Sequence, residues 1–241
     1  MEHNNLTDNY IKFIEAFYKT NKSDFDIENL EISKSIYKHI FKIKLALWKQ
    51  KIEFRRMKKV ANSDLFQDII AFYLKSYLSD DFEIILEEKK GKFQPDILIK
   101  FKNKELFIIE IKTSLGWARG SIENEIPQRI KELSINFNIP QNNIVYILQS
   151  PWNVKKEFRE RYWNNKKKIA CELPKDFPYN KIRPLMTMDD PFYFKYEDIN
   201  PKIEYIDYSN EKIDELSNKS IVIPFELTIN EIITAANKEL S

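Results

Sequence analysis

Residues 106–112, Leu-Phe-Ile-Ile-Glu-Ile-Lys, constrain the chain more than any other segment. A strand with one wet face alternates apolar and polar residues. This run stays apolar from Leu106 to Ile111 except at Glu110, and ends in Lys112. It therefore reads as a strand buried on both faces, inside a sheet covered from both sides. Glu110 is then the anomaly, because a charge in such a strand is costly unless it is paired or bound to metal.

The segments around this strand supply a sheet and its cover. Phe82 to Glu87 reads as a first strand, Lys89 to Lys92 with Gly91 as a turn, and Phe93 to Phe101 as a second strand. Lys102 to Lys104 reads as a tight turn, and Glu105 to Lys112 as the third strand of an antiparallel meander. Upstream, a helix is expected from about Ser63, a suitable N-cap, carrying Leu65, Ile69, Ile70, Phe72, Tyr73 and Leu78. Downstream, Pro127 to Phe137 reads as a helix with proline at its first position. A short strand follows at Asn143 to Gln149, then a helix at Val154 to Trp163.

Residues 6–60 read as largely helical. Leu6, Tyr10, Phe13, Ile14 and Phe17 recur at helical spacing. After a looser stretch from Lys22 to Asn29, so do Ile36, Ile40, Ile43, Leu47 and Phe54. Prolines and aromatics dominate Lys166 to Tyr208, which carries no assignable pattern. Ile221 to Phe225 reads as a strand, and Thr228 to Leu240 as a helix with a Thr228–Glu231 capping box. The expected fold is α/β, a mixed sheet flanked by helices and preceded by an N-terminal helical region. The expected divisions are a helical region at 1–60 for DNA contact or dimerisation, a core at 61–165, and a C-terminal extension at 166–241 packed on that core.

The chain of 241 residues is long enough for one sizeable core, or for one core plus a helical appendage. The scarce residues exclude most chemistries. One cysteine, Cys171, permits no disulfide framework and no cysteine zinc site within one chain. Three glycines, Gly91, Gly116 and Gly120, cannot build a phosphate-cradling loop. The two histidines, His3 and His39, are expected to do no chemistry. What remains is carboxylates and lysines, which suit a hard, oxygen-binding metal. The net charge of +2 does not by itself announce a nucleic-acid binder. The polar stretch Met1 to Asn9 lacks the pattern of a targeting peptide, and no apolar run approaches membrane-spanning length, so a cytoplasmic protein is expected.

The chemistry centres on Pro95-Asp96 and Glu110-Ile111-Lys112. The spelling is common in a chain this rich in lysine and glutamate, but the placement is selective. Alternation along a strand puts Glu110 and Lys112 on one face, and Asp96 on the neighbouring strand can reach it. Two carboxylates that repel each other are relieved by a divalent cation. The alternative is a purely structural ion pair of Lys112 with either acid.

In these residues the chain resembles the PD-(D/E)xK nuclease superfamily, the restriction-endonuclease-like class. The resemblance spans about Ser63 to Gln149, in the order helix, three-strand meander, helix, strand. It implies that Asp96, Glu110 and the backbone carbonyl of Ile111 coordinate magnesium, with manganese able to substitute. It implies that Lys112 orients or deprotonates the attacking water and stabilises the transition state. It also implies an acid on the preceding helix, for which Asp68 is preferred over Asp64, one turn away. An exposed helical aspartate is the alternative reading of Asp68. Gln128 and Arg129 stand in the first turn of the helix after the meander, where some branches of the superfamily use a glutamine to steady the site.

Further candidates concern DNA. The loop after the third strand holds Thr113, Ser114, Trp117 and Arg119, and leaves the sheet at the catalytic end. Arg119 is suited to gripping a phosphate, and Trp117 to stacking on a base or to packing. Residues 42–59 carry Lys42, Lys44, Lys49, Lys51, Arg55, Arg56, Lys58 and Lys59 against Glu53, either a phosphate-binding face or a solvated one. A second basic run, Lys155 to Lys168, is diluted by Glu157 and Glu160.

The expected activity is hydrolysis of DNA by a prokaryotic restriction or defence endonuclease, with a homodimer natural for cutting both strands. Also open are a repair or recombination nuclease, a catalytically silent DNA-binding or partner-binding module, and an RNA-directed toxin.

Overall fold

The computed structural model describes residues 31–49, 61–112, 125–149, 180–185 and 223–240, with 215, 217, 218 and 221; the side chains of 41–49, 61–63 and 65 lie outside it. The helix expected near Leu6 to Phe17, the looser stretch from Lys22, the helix at Val154 to Trp163 and its basic run fall outside the described residues.

The described elements run α1 (Glu31–Lys49), α2 (Ala61–Tyr77), β1 (Phe82–Leu86), β2 (Ile97–Phe101), β3 (Lys104–Lys112), α3 (Ile126–Phe137), a 3-10 turn (Gln141–Asn143), β4 (Ile144–Leu148), β5 (Ile182–Pro184) and α4 (Phe225–Leu240). The strands form one five-stranded sheet in the order β1-β2-β3-β4-β5. The pairs β1–β2 and β2–β3 are antiparallel, whereas β3–β4 and β4–β5 are parallel. The fold is α/β with a mixed sheet.

Connection length dictates this mixture. Phe101 pairs with Lys104, so only Lys102 and Asn103 turn the chain between β2 and β3. Both adopt positive φ, 48° and 66°. Left-handed backbone at both central residues is what a two-residue hairpin needs to match the twist of its strands. A parallel partner needs a crossover instead, and α3 supplies it between β3 and β4.

Helices cover the sheet on both sides. Ile97, Ile99, Phe107, Ile109, Ile111, Val145 and Ile147 pack with α1, α2 and α4 through residues such as Ile36, Ile70, Tyr73, Phe225 and Ile229. Leu98, Ile108, Ile144, Tyr146, Leu148 and Ile182 pack with α3 through Ile126, Ile130, Leu133 and Phe137. The apolar run of β3 is thus buried on both faces, each large side chain contributing about 1.5–3 kcal/mol. A register shift between Ile99 and Lys100 marks a bulge in the β2–β3 pair. The extra residue, Leu106, joins Phe107 in the same core, while Ile108 and Glu110 keep to the α3 side.

Four expectations require correction. The second strand begins at Ile97, not Phe93. Pro95 has no N–H for a ladder, and Phe93 is instead bridged to Lys90 across the Gly91 turn. Asp96 therefore stands in a bend just before β2, where its carbonyl still accepts a hydrogen bond from Glu87 N at 3.1 Å. Ser63 lies inside α2, not ahead of it. The described residues of 221–225 form no strand: Ile221 makes a lone bridge, and Phe225 already opens α4.

The fourth correction is the capping box. Thr228 lies within α4, and its hydroxyl accepts from Arg183 Nη1 at 2.8 Å while Glu231 accepts from Arg183 Nη2 at 2.6 Å. That threonine and glutamate hold β5, a strand with no local signature in the sequence. The N-terminus of α4 is capped from elsewhere: Phe225 N donates to Ser33 Oγ at 2.7 Å. In return, Ser33 N and its hydroxyl donate to the Glu226 carboxylate, so the N-termini of α1 and α4 cap each other. No helix among the described residues is long and apolar enough to cross a membrane.

Candidate active site

The end of β3 and the start of β2 lie side by side, because Ile97 pairs with Ile109. Asp96, one residue before β2, falls next to Glu110. Strand alternation then puts Glu110 and Lys112 on the α3 side with Ile108. Lys112 Nζ lies 3.0 Å from Asp96 Oδ2 and 3.5 Å from Glu110 Oε2. Asp96 Oδ2 also accepts from the backbone N–H of Ile111 at 2.6 Å, extending the contact between the two strands beyond their ladder. The structure thus brings together Asp96, Glu110, Ile111 and Lys112.

Asp96 is held from behind as well. Gln67, buried on α2, donates from Nε2 to the Asp96 carbonyl at 2.9 Å. Gln67 shares its helix face with Ile70 and Leu74, three and seven residues on, both fully buried. A polar residue in an apolar stripe is the sequence signal that would have found it. Asp68, half-buried, occupies the next helical position, roughly 100° round the axis. It has interactions of its own, and its assignment to the site rests on the resemblance alone. Asp64 is exposed.

Glu110 is 4% exposed and has a second cation. Arg129, from α3, places Nη2 3.1 Å from Glu110 Oε1 and 3.2 Å from the Gln94 carbonyl. Its guanidinium lies 5.7 Å from the centroid of the Phe93 ring. Arg129 falls between Ile126 and Leu133 in the spacing that carries the apolar face of α3, the signal for its inward reach. Gln128, in contrast, is exposed and bonds Glu132 at 2.9 Å. The helix residue at the site is therefore the arginine and not the glutamine. Tyr146, paired with Glu110 across β4, is a further buried neighbour.

Electrostatics at this cluster are dominated by burial. Desolvation pushes the Glu110 carboxyl above its ordinary range, and the charge of Asp96 adds to the shift. Lys112 and Arg129 pull the other way without cancelling it. Burial, followed by the charge of Glu110, likewise pushes the Tyr146 phenol up.

Among the described residues, no group of three or more histidines, cysteines or carboxylates converges. The donor set here is a carboxylate pair. Two adjacent carboxylates, one strained toward its neutral form by burial and repulsion, fit a hard divalent cation, which favours the ionised form of both. Trp117, Arg119, Arg55 and Arg56, with Thr113 and Ser114, lie outside the described residues.

No family model, no curated protein and no solved structure matches the chain.

Proposed function

We propose that the protein is a metal-dependent endonuclease that hydrolyses DNA phosphodiester bonds, with a restriction-endonuclease-like core. The observation that carries this reading is the meeting of Asp96, Glu110 and Lys112 at the end of β3, with Lys112 Nζ 3.0 and 3.5 Å from the two carboxylates. The order α2, β1, β2, β3, α3, β4 supports it, because the resemblance implies that sequence of elements around these residues. The antiparallel pairing of β2 with β3 supports it further, because it sets the bend that carries Asp96 beside Glu110 on β3.

In this reading Asp96 and Glu110, with the Ile111 carbonyl, hold magnesium or manganese. A bound divalent cation supplies Lewis acidity at the phosphoryl oxygen and a more acidic water. Lys112 puts a positive charge where negative charge develops on the phosphorus oxygens, and orients the attacking water. Gln67 and the Ile111 N–H fix Asp96, so its carboxylate does not have to be ordered during the reaction. The cellular role proposed is that of a cytoplasmic prokaryotic restriction or defence enzyme acting as a homodimer.

The test is incubation with phage-length DNA and magnesium, followed by sequencing of the ends. Discrete fragments are expected. A smear would replace the restriction role with a non-specific nuclease. Intact DNA, with no binding of magnesium or manganese, would leave Lys112 as a structural ion-pair partner and end the nuclease reading.

A further inference from the structure

The carboxylate pair is electrically closed before any metal arrives. Among the described residues, Asp96 and Glu110 face two cations, Lys112 and Arg129. The two cations differ in kind. Lys112 is on the same strand as Glu110 and touches both acids. Arg129 comes from a helix, and of the two acids it touches Glu110. Its contacts to Glu110 and to the Gln94 carbonyl both use Nη2, and its side chain is 30% exposed. A guanidinium is a planar fork built to take two oxygens of a carboxylate or a phosphate at once. Contacts through a single nitrogen, at 3.1 and 3.2 Å, leave that capacity largely unspent.

A dication entering this balanced group would leave an excess of positive charge. The excess is removed only if a cation turns away or an anion enters. Arg129 is the cation placed to turn: it touches one acid where Lys112 touches both, it reaches in from a helix, and its side chain is 30% exposed. A phosphodiester is the anion that the proposed reaction brings.

We infer that Arg129 is the resident counter-charge that a divalent cation displaces from Glu110, and that the displaced guanidinium takes a substrate phosphate, so that metal and phosphodiester load together. The inference rests on the nuclease reading. Arg129 is a positioning residue in the metal-free protein and a phosphate ligand in the loaded one. The coupling is reciprocal by linkage: whatever factor DNA adds to metal affinity, metal adds to DNA affinity.

Calorimetric titration of the full chain with calcium, with and without a short DNA duplex, tests this without turnover. In the wild type, calcium alone should bind weakly, and the duplex should tighten it by about 5–100-fold. Arg129→Gln keeps a hydrogen-bonding side chain but removes the charge. It should bind calcium alone about tenfold more tightly, and most of the enhancement by DNA should vanish. Arg129→Lys keeps the charge and should retain weak binding of calcium alone. A merely structural arginine would weaken metal binding when lost, not tighten it. A folded Arg129→Gln protein with wild-type calcium affinity overturns the inference and leaves the nuclease reading intact. Should that variant fail to fold, the wild-type titrations still decide, since calcium and duplex that bind independently overturn it too. A wild type that binds no divalent cation, with or without DNA, overturns both.

Discussion

Gln67 and Asp96 are joined by a 2.9 Å hydrogen bond from the glutamine amide to the aspartate's backbone carbonyl, across 29 positions of sequence. The bond ties α2 to the bend that aims the Asp96 carboxylate, and so makes the position of that carboxylate a property of helix packing. Replacing Gln67 by leucine preserves size and removes the donor. The expected result is a stability loss of about 1 kcal/mol by chemical denaturation. Cleavage should fall by about 10–100-fold, as for loss of outer partners of metal ligands. Cleavage equal to wild type would show that the bend holds Asp96 unaided.

Glu110 yields a pH prediction for the metal-free protein. Burial and Asp96 raise its carboxyl above the ordinary range, so the folded state holds this proton to higher pH than the unfolded chain does. Below the ordinary carboxylate range both states are protonated and nothing is lost. As pH rises through the folded-state value, the unfolded chain has already ionised and stability declines. Glu110→Gln should therefore raise the melting temperature near neutral pH and flatten this decline. Melting in chelator across about pH 4–8 reads both. A variant less stable than wild type at neutral pH would mean that Arg129 and Lys112 outweigh the burial.

The three central residues should separate by role. On the proposed reading Asp96→Asn and Glu110→Gln each remove a ligand charge, so both should weaken manganese binding and abolish cleavage. Lys112→Ala removes a cation that sits on both acids. Metal binding should survive or tighten while cleavage falls by orders of magnitude. Near-normal cleavage by a folded Lys112→Ala protein would remove the lysine from the chemistry.

The reciprocal cap of Ser33 and Glu226 predicts a stability coupling between sequence-distant helices. Each loss should cost about 0.5–2 kcal/mol, because each leaves donors at a helix N-terminus without a partner. The double variant Ser33→Ala, Glu226→Leu should be less destabilised than the sum, since one network is lost once. Strict additivity in denaturant titrations would show that the two residues act independently. Cleavage should follow only the folded fraction, because neither residue lies at the site.

Elements whose order is local were legible before any packing was known. An apolar run predicted β3 and its double burial, a proline suited to a first helical position predicted α3, and a tight turn at Lys102 to Lys104 predicted the β2–β3 hairpin that sets Asp96 beside Glu110. Residues two apart on one strand share a face wherever the strand goes, so Glu110 and Lys112 were legible together. Partners without such a period came from packing. Arg129 meets Glu110 only because α3 crosses back over the sheet. Thr228 and Glu231 have the local spacing of a cap, yet α4 starts three residues earlier and packs them on Arg183, 45 and 48 positions away. Ser33 and Glu226 are 193 positions apart. Polar groups within one element choose partners by its periodicity, but a buried donor must take whatever acceptor the packed core brings to it, and only the fold settles which one that is.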